Sequence, residues 1–188
     1  MTRERGFRRA DVIDLLREVE SRLASRGVAL DIQVVGGAAL LLHGVLDRAT
    51  GDIDARYTSA EIVEEVAADM AREYGLPPKW LNRSAAAFLP EDARWIAGPA
   101  GTSSAVRLAD LRTLAAMKLA AERSKDIEDL GHIALALGIE HADQLVRLAF
   151  EKYGHHSIAL SAPVDNYEIV AEEAINAARA LRLRRQHR

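Results

Sequence analysis

Apolar residues at Val12, Leu16, Val19 and Leu23 recur at the spacing of one helical face and predict a helix over residues 11–26, with Gly27 as its stop. Residues 30–35 alternate apolar and polar positions and predict a strand, broken by Gly36-Gly37. A short helix-prone segment, residues 38–43, follows before Gly44. Residues 52–57 alternate again and are expected to lie beside the first strand. Thr58 and Glu61 have capping-box spacing, opening a helix that runs to Tyr74 with Gly75 as its stop.

Residues 76–104 hold four of the five prolines and both tryptophans. They predict a short helix near residues 80–88, a turn, and a strand at 94–97; a further strand is expected at 105–108. From Asp110 onward the pattern is helical almost throughout, at residues 110–123, 125–137, 141–153 and 166–185, punctuated by Gly138 and Gly154. The expected fold class is α+β. A small mixed sheet with flanking helices (residues 1–108) precedes an all-helical lobe (residues 109–188) packed against it, one compact unit overall.

Composition narrows the chemistry. The 188 residues contain no cysteine, which excludes disulfides, thiolate zinc sites and cysteine nucleophiles. The longest apolar runs, residues 38–42 among them, fall far short of the roughly 20 needed to cross a bilayer. The charged N-terminus lacks the apolar stretch of a secretory signal, so the chain reads as cytoplasmic, with no membrane partner. Net charge is -3, unevenly spread. Residues 1–10 contribute +3 (Arg3, Arg5, Arg8 and Arg9 against Glu4) and residues 179–188 contribute +5, leaving -11 on the body. Two basic ends on an acidic body could hold a polyanion, or simply aid solubility.

The informative segment runs from Gly36 to Asp54. Two glycines between a strand and a helix let backbone N–H groups approach phosphate oxygens. On a strand, Asp52 and Asp54 project to one side while Ile53 faces the core. Carboxylates held that close repel unless a cation lies between them, and hard oxygen ligands suit Mg²⁺. A lone Asp-x-Asp is otherwise a solvated edge strand. In the helical half, Leu111, Leu114, Ala115, Lys118 and Glu122 share a face that Lys118 interrupts, either as a snorkelling lysine or as a charge aimed at a triphosphate. Asp126 and Asp129 lie one turn apart, and Arg123 and Lys125 could pair with them at the surface. His43 reads as a hydrogen-bonded structural histidine; Trp80 and Trp95 could stack bases, but with only 5% aromatics in the chain they read as core.

Gly36-Gly37 followed by Arg48-Ala-Thr-Gly-Asp-Ile-Asp resembles the DNA polymerase β-like nucleotidyltransferase superfamily. A second block, residues 111–130, is similar to the small nucleotidyltransferases of the AbiEii and MenT toxin group. The resemblance implies a Mg²⁺-dependent (Mn²⁺ possible) nucleotidyltransferase that releases pyrophosphate. Its implied place is a toxin–antitoxin pair, adding nucleotides from CTP or another NTP to the 3′ end of tRNA and blocking translation. It implies catalytic roles for Asp52, Asp54, Lys118 and Asp129, with Asp52 and Asp54 as metal ligands. Gly36, Gly37, Arg48, Lys118 and Asp126 would bind nucleotide. Thr50 matches a hydroxyl position that a cognate antitoxin phosphorylates in some toxin pairs. The strand at 105–108 lacks the third carboxylate that many superfamily members carry, which leaves Asp126 or Asp129 to complete the site. The alternatives are a nucleotidyltransferase that modifies antibiotics or other small molecules, and a catalytically silent nucleotide-binding or antitoxin-partner module.

Overall fold

A computed structural model describes residues 6–186; Arg3, Arg5 and Arg188 of the basic ends lie outside the described residues. The chain divides into two units. The first comprises residues up to Ala87 together with Trp95–Ala109, and the second comprises Phe88–Arg94 with the residues from Asp110 onward.

The first unit opens with α1 (Arg9–Ser25), whose Val12, Leu16, Val19 and Leu23 are all buried, as their spacing predicts. β1 (Ile32–Val34) leads directly into α2 (Gly36–Leu42), so the glycine pair begins the helix rather than separating it from the strand. β2 (Ile53–Tyr57) pairs antiparallel with β1, with Gln33 opposite Arg56 and Val34 opposite Ala55. α3 (Ala60–Tyr74) ends at Gly75, but the expected capping box is absent. Ser59 occupies the N-cap, with φ +50 and no side-chain cap bond.

The helix expected near residues 80–88 is not there. Trp80 accepts a hydrogen bond from Ile53 N–H through its carbonyl, drawing the next residues onto the sheet as β3 (Leu81–Asn82), parallel to β2. Only a single 3₁₀ turn, Ala86–Phe88, is helical. Trp80 is fully buried, and its indole N–H donates to the Ala67 carbonyl at 2.9 Å. β4 (Trp95–Ala97) pairs antiparallel with β5 (Val106–Ala109), and β5 runs parallel to β1.

The sheet is therefore mixed, in the order β3-β2-β1-β5-β4. Ile53, Ala55 and Tyr57 point to its buried face, where α2 contacts β2 and β5, α3 contacts β3, and α1 packs on α2 and α3. The alternate positions Asp54 and Arg56, with Gln33 and Arg107 in register beside them, form a polar opposite face.

The second unit is helical: α4 (Leu111–Ala121), α5 (Ile127–Leu137), α6 (Ala142–Tyr153) and α7 (Val164–Gln186). Segment 88–94 belongs with them because Lys152 Nζ donates to the Asp92 carbonyl at 2.7 Å and the Tyr153 hydroxyl donates to the Phe88 carbonyl at 2.5 Å. Gly131 lets α5 and α7 approach closely; a Cβ there would sit 2.9 Å from Ala177 Cβ and 3.0 Å from the Ala174 carbonyl oxygen. Among the described residues no helix is long and apolar enough to cross a membrane.

Candidate active site

In the first unit the two halves of the glycine–aspartate motif meet side by side. Gly36 adopts φ +64, and a Cβ built on it would lie 3.1 Å from Asp54 Oδ2. A Cβ on Gly37 would lie 3.1 Å from Thr50 Oγ1. The glycine pair thus floors a shallow cradle whose wall is the segment from Thr50 to Asp54. The main chain fixes this contact, since Val35 N–H donates to the Asp54 carbonyl at 2.9 Å. Ile53 is fully buried between Asp52, which is exposed, and Asp54, which is half-buried. Asn82 borders both aspartates: its side-chain amide donates to Asp52 Oδ2 at 3.3 Å, and its backbone is the register partner of Asp54. Thr50 is 9% exposed, pairs with Phe7 through two backbone hydrogen bonds, and donates its hydroxyl to the Asp52 carbonyl at 3.1 Å. Arg48 sits exposed on the loop leading into this segment. His43 is structural, its Nε2 donating to the Ala109 carbonyl at 2.8 Å.

In the second unit Lys118, Asp126 and Asp129 form one buried cluster. Lys118 Nζ lies 2.6 Å from Asp126 Oδ1 and 2.8 Å from Asp129 Oδ2, and all three side chains are at most 8% exposed. Arg123 Nε donates to Asp126 Oδ2 at 2.5 Å from a half-exposed position. Lys118 therefore does not snorkel; Arg123 does pair with Asp126 from the surface, as the sequence allows, but both aspartates are buried and share Lys118. Burial alone would raise the Asp126 pKa. The hydrogen bonds and charges of Lys118 and Arg123 outweigh it and hold this carboxyl below the usual aspartate value.

Residues 10–177 match the family described as nucleotidyltransferases of unknown function, DUF6036. The chain belongs to this nucleotidyltransferase family. No curated protein and no solved structure matches it.

Within this DUF6036 chain the metal expected of a nucleotidyltransferase has a donor set to meet it. Asp52 and Asp54 are the residues that could hold it, being hard oxygen donors two residues apart, with Asp54 packed where a Cβ at Gly36 would otherwise sit. Two carboxylates, with water and phosphate oxygens completing the shell, suit Mg²⁺. Among the described residues no group of three histidine, cysteine or acidic side chains is gathered as a metal site.

Sequence reasoning missed Gln33, Asn82 and the placement of Trp95. Asn82 reaches the aspartates through a two-residue strand too short to show a period. Trp95 is not core. It is half-exposed, with the Arg56 guanidinium carbon 5.3 Å from its ring centroid.

Gly36→Ala is expected to cost about 1–2 kcal/mol from the left-handed backbone and to displace the Asp54 carboxylate. Gly44, at φ +74 with no neighbour within 4 Å of an added Cβ, is the control. Gly44→Ala should lower the melting temperature similarly while leaving metal-dependent nucleotide binding intact. Gly36→Ala should lose both, as thermal melts and nucleotide titrations would read.

Proposed function

We propose that this chain is a Mg²⁺-dependent nucleotidyltransferase, a toxin of a toxin–antitoxin pair that adds nucleotides from CTP or another NTP to the 3′ end of tRNA and so blocks translation. The observation that carries the catalytic part is the close packing of Gly36 on Asp54, which sets that carboxylate, two residues along from Asp52, beside the glycine backbone. The acceptor hydroxyl oxygen attacks the α-phosphorus, the bond to the β-phosphate oxygen breaks, and pyrophosphate leaves. Asp52 and Asp54 would hold a divalent cation, which would supply neutralising charge to the phosphates.

The chain's own residues position the reactants. Gly36 and Gly37 let the triphosphate lie against the main chain, and Arg48 lends charge at the loop. The resemblance implies a phosphate-binding role for Lys118; its ammonium lies 2.6 Å from Asp126 Oδ1 and 2.8 Å from Asp129 Oδ2, and in this reading the two aspartates act by holding the lysine. Phosphorylation of Thr50 by an antitoxin would set a dianion against Gly37 and the metal-binding aspartates, blocking the triphosphate. Because Thr50 is 9% exposed and its hydroxyl donates to the Asp52 carbonyl, that modification requires local opening of this segment.

The tRNA acceptor and the toxin role rest on the likeness of residues 111–130 to the toxin group and on the basic ends, of which Arg184 and Arg185 are exposed on α7. The Arg48-x-x-x-Asp-x-Asp run is equally similar to antibiotic-modifying nucleotidyltransferases. Incubation with total RNA, Mg²⁺ and each α-labelled NTP in turn separates these readings. Label at tRNA size is the expected result. Transfer to a small-molecule acceptor alone would replace the tRNA reading, and no transfer to any acceptor would leave a silent nucleotide-binding module.

A further inference from the structure

We infer that Gln33, Arg56 and Trp95 form a nucleobase-stacking subsite on the polar face of the sheet, a role that rests on the nucleotidyl-transfer reading above. Arg56 lies two residues after Asp54 on β2, so both side chains rise from the same face. From there Arg56 reaches across the sheet. Its Nε donates to Gln33 Oε1 on β1 at 2.7 Å, and its guanidinium lies over the Trp95 ring on edge strand β4 at 5.3 Å. Gln33 is 7% exposed beneath it, while Arg56 itself is exposed and Trp95 half-exposed. Among the described residues no carboxylate pairs with Arg56, whereas Arg107 on the same face is bound to Asp31 at 2.7 Å.

This arginine is oriented by a neutral amide and an indole. Its Nε is committed to Gln33, which fixes the plane of the guanidinium. The outer fork remains for phosphate or base-edge acceptors. Arginine planes and indole rings both stack nucleobases irrespective of sequence, because every base has a π-face. The shelf therefore offers a base a stacking surface, a phosphate a cation, and both a position on the strand that carries Asp54. The base could belong to the NTP or to the terminal nucleotide of an RNA acceptor.

The chain's only two tryptophans make the test direct. Trp80 is fully buried with its N–H bonded, so ligand-induced quenching reports Trp95. The full chain would be titrated with a single-stranded RNA oligonucleotide, with each NTP, and with inorganic tripolyphosphate as a base-free probe. Quenching by RNA or by an NTP, with none by tripolyphosphate, is the expected result, and the titrant that quenches names the substrate on the shelf. Trp95→Leu should abolish the quenching, weaken that ligand by about tenfold and raise its KM with kcat nearly unchanged. The remaining Trp80 emission reports that the variant is folded. Arg56→Lys keeps the charge but not the plane, and should weaken the same ligand. Absence of quenching by both RNA and NTPs, or equal quenching by tripolyphosphate, overturns the subsite. Label transfer that depends on Asp54 would stand regardless, so the two readings fail separately.

Discussion

Asp54→Asn is expected to lower nucleotide transfer by on the order of 10³-fold or more while leaving the protein folded. Asp54 is half-buried, lies on β2 and has its carboxylate against Gly36, so the amide keeps the shape and removes the charge that a divalent cation needs. Asp52→Asn should act similarly from its exposed position next to Asn82. On the proposed reading the two carboxylates work as one unit, and the double variant should then be little worse than either single variant. Multiplying losses, or full activity in either single variant, would show that the aspartates do not act together. Thermal melts decide whether a loss is local; at the exposed Asp52 the change should move stability by less than about 0.5 kcal/mol.

Lys118→Met carries the largest expected loss of stability, about 3–5 kcal/mol, because it leaves Asp126 and Asp129 buried without their shared cation. For a chain of this size the melting temperature should fall by roughly 10 °C. Acid pH gives the sign. In the parent protein Asp126 has a depressed pKa, so its contribution is present above the unfolded aspartate value near 4 and is lost as pH falls below it. In the variant the ammonium is gone and only Arg123 still opposes burial, which favours the neutral form of Asp126. Protonation then relieves the strain, and the gap between parent and variant should narrow as pH drops from 7 towards about 4. A gap that stays constant over that range, or an unchanged melting temperature, would mean that the cluster does not hold α4 and α5 together. Adding Asp126→Asn and Asp129→Asn to Lys118→Met should recover part of the loss.

The parts of the site legible in the sequence are those whose partners are close along the chain. The alternation around Ile53 and the glycine pair after β1 announced two neighbouring strands and a tight approach, and β1 and β2 do pair. Lys118, Asp126 and Asp129 could be placed on helical faces by their spacing. Their joining in one buried cluster depends on the reversal at Glu122, a non-glycine residue at φ +48, which no local preference foretells. β3 escaped because two residues carry no period; what places it is the bond between Ile53 N–H and the Trp80 carbonyl. Arg56 and Trp95 are 39 positions apart and meet only because β1 and β5 lie between their strands. Propensity rules read Trp95 as core because they weigh the residue and not the edge strand on which it falls.

Mn²⁺ titration of the full chain in the presence of a nucleoside triphosphate, followed by electron paramagnetic resonance, reads the pairing of Asp52 and Asp54 with the glycine cradle without requiring an acceptor. Wild-type protein should bind Mn²⁺ in a nucleotide-dependent manner, and Asp54→Asn should lose that binding while its melting curve is retained. Equal Mn²⁺ binding by the two proteins would contradict the assignment of these aspartates as the centre of the site.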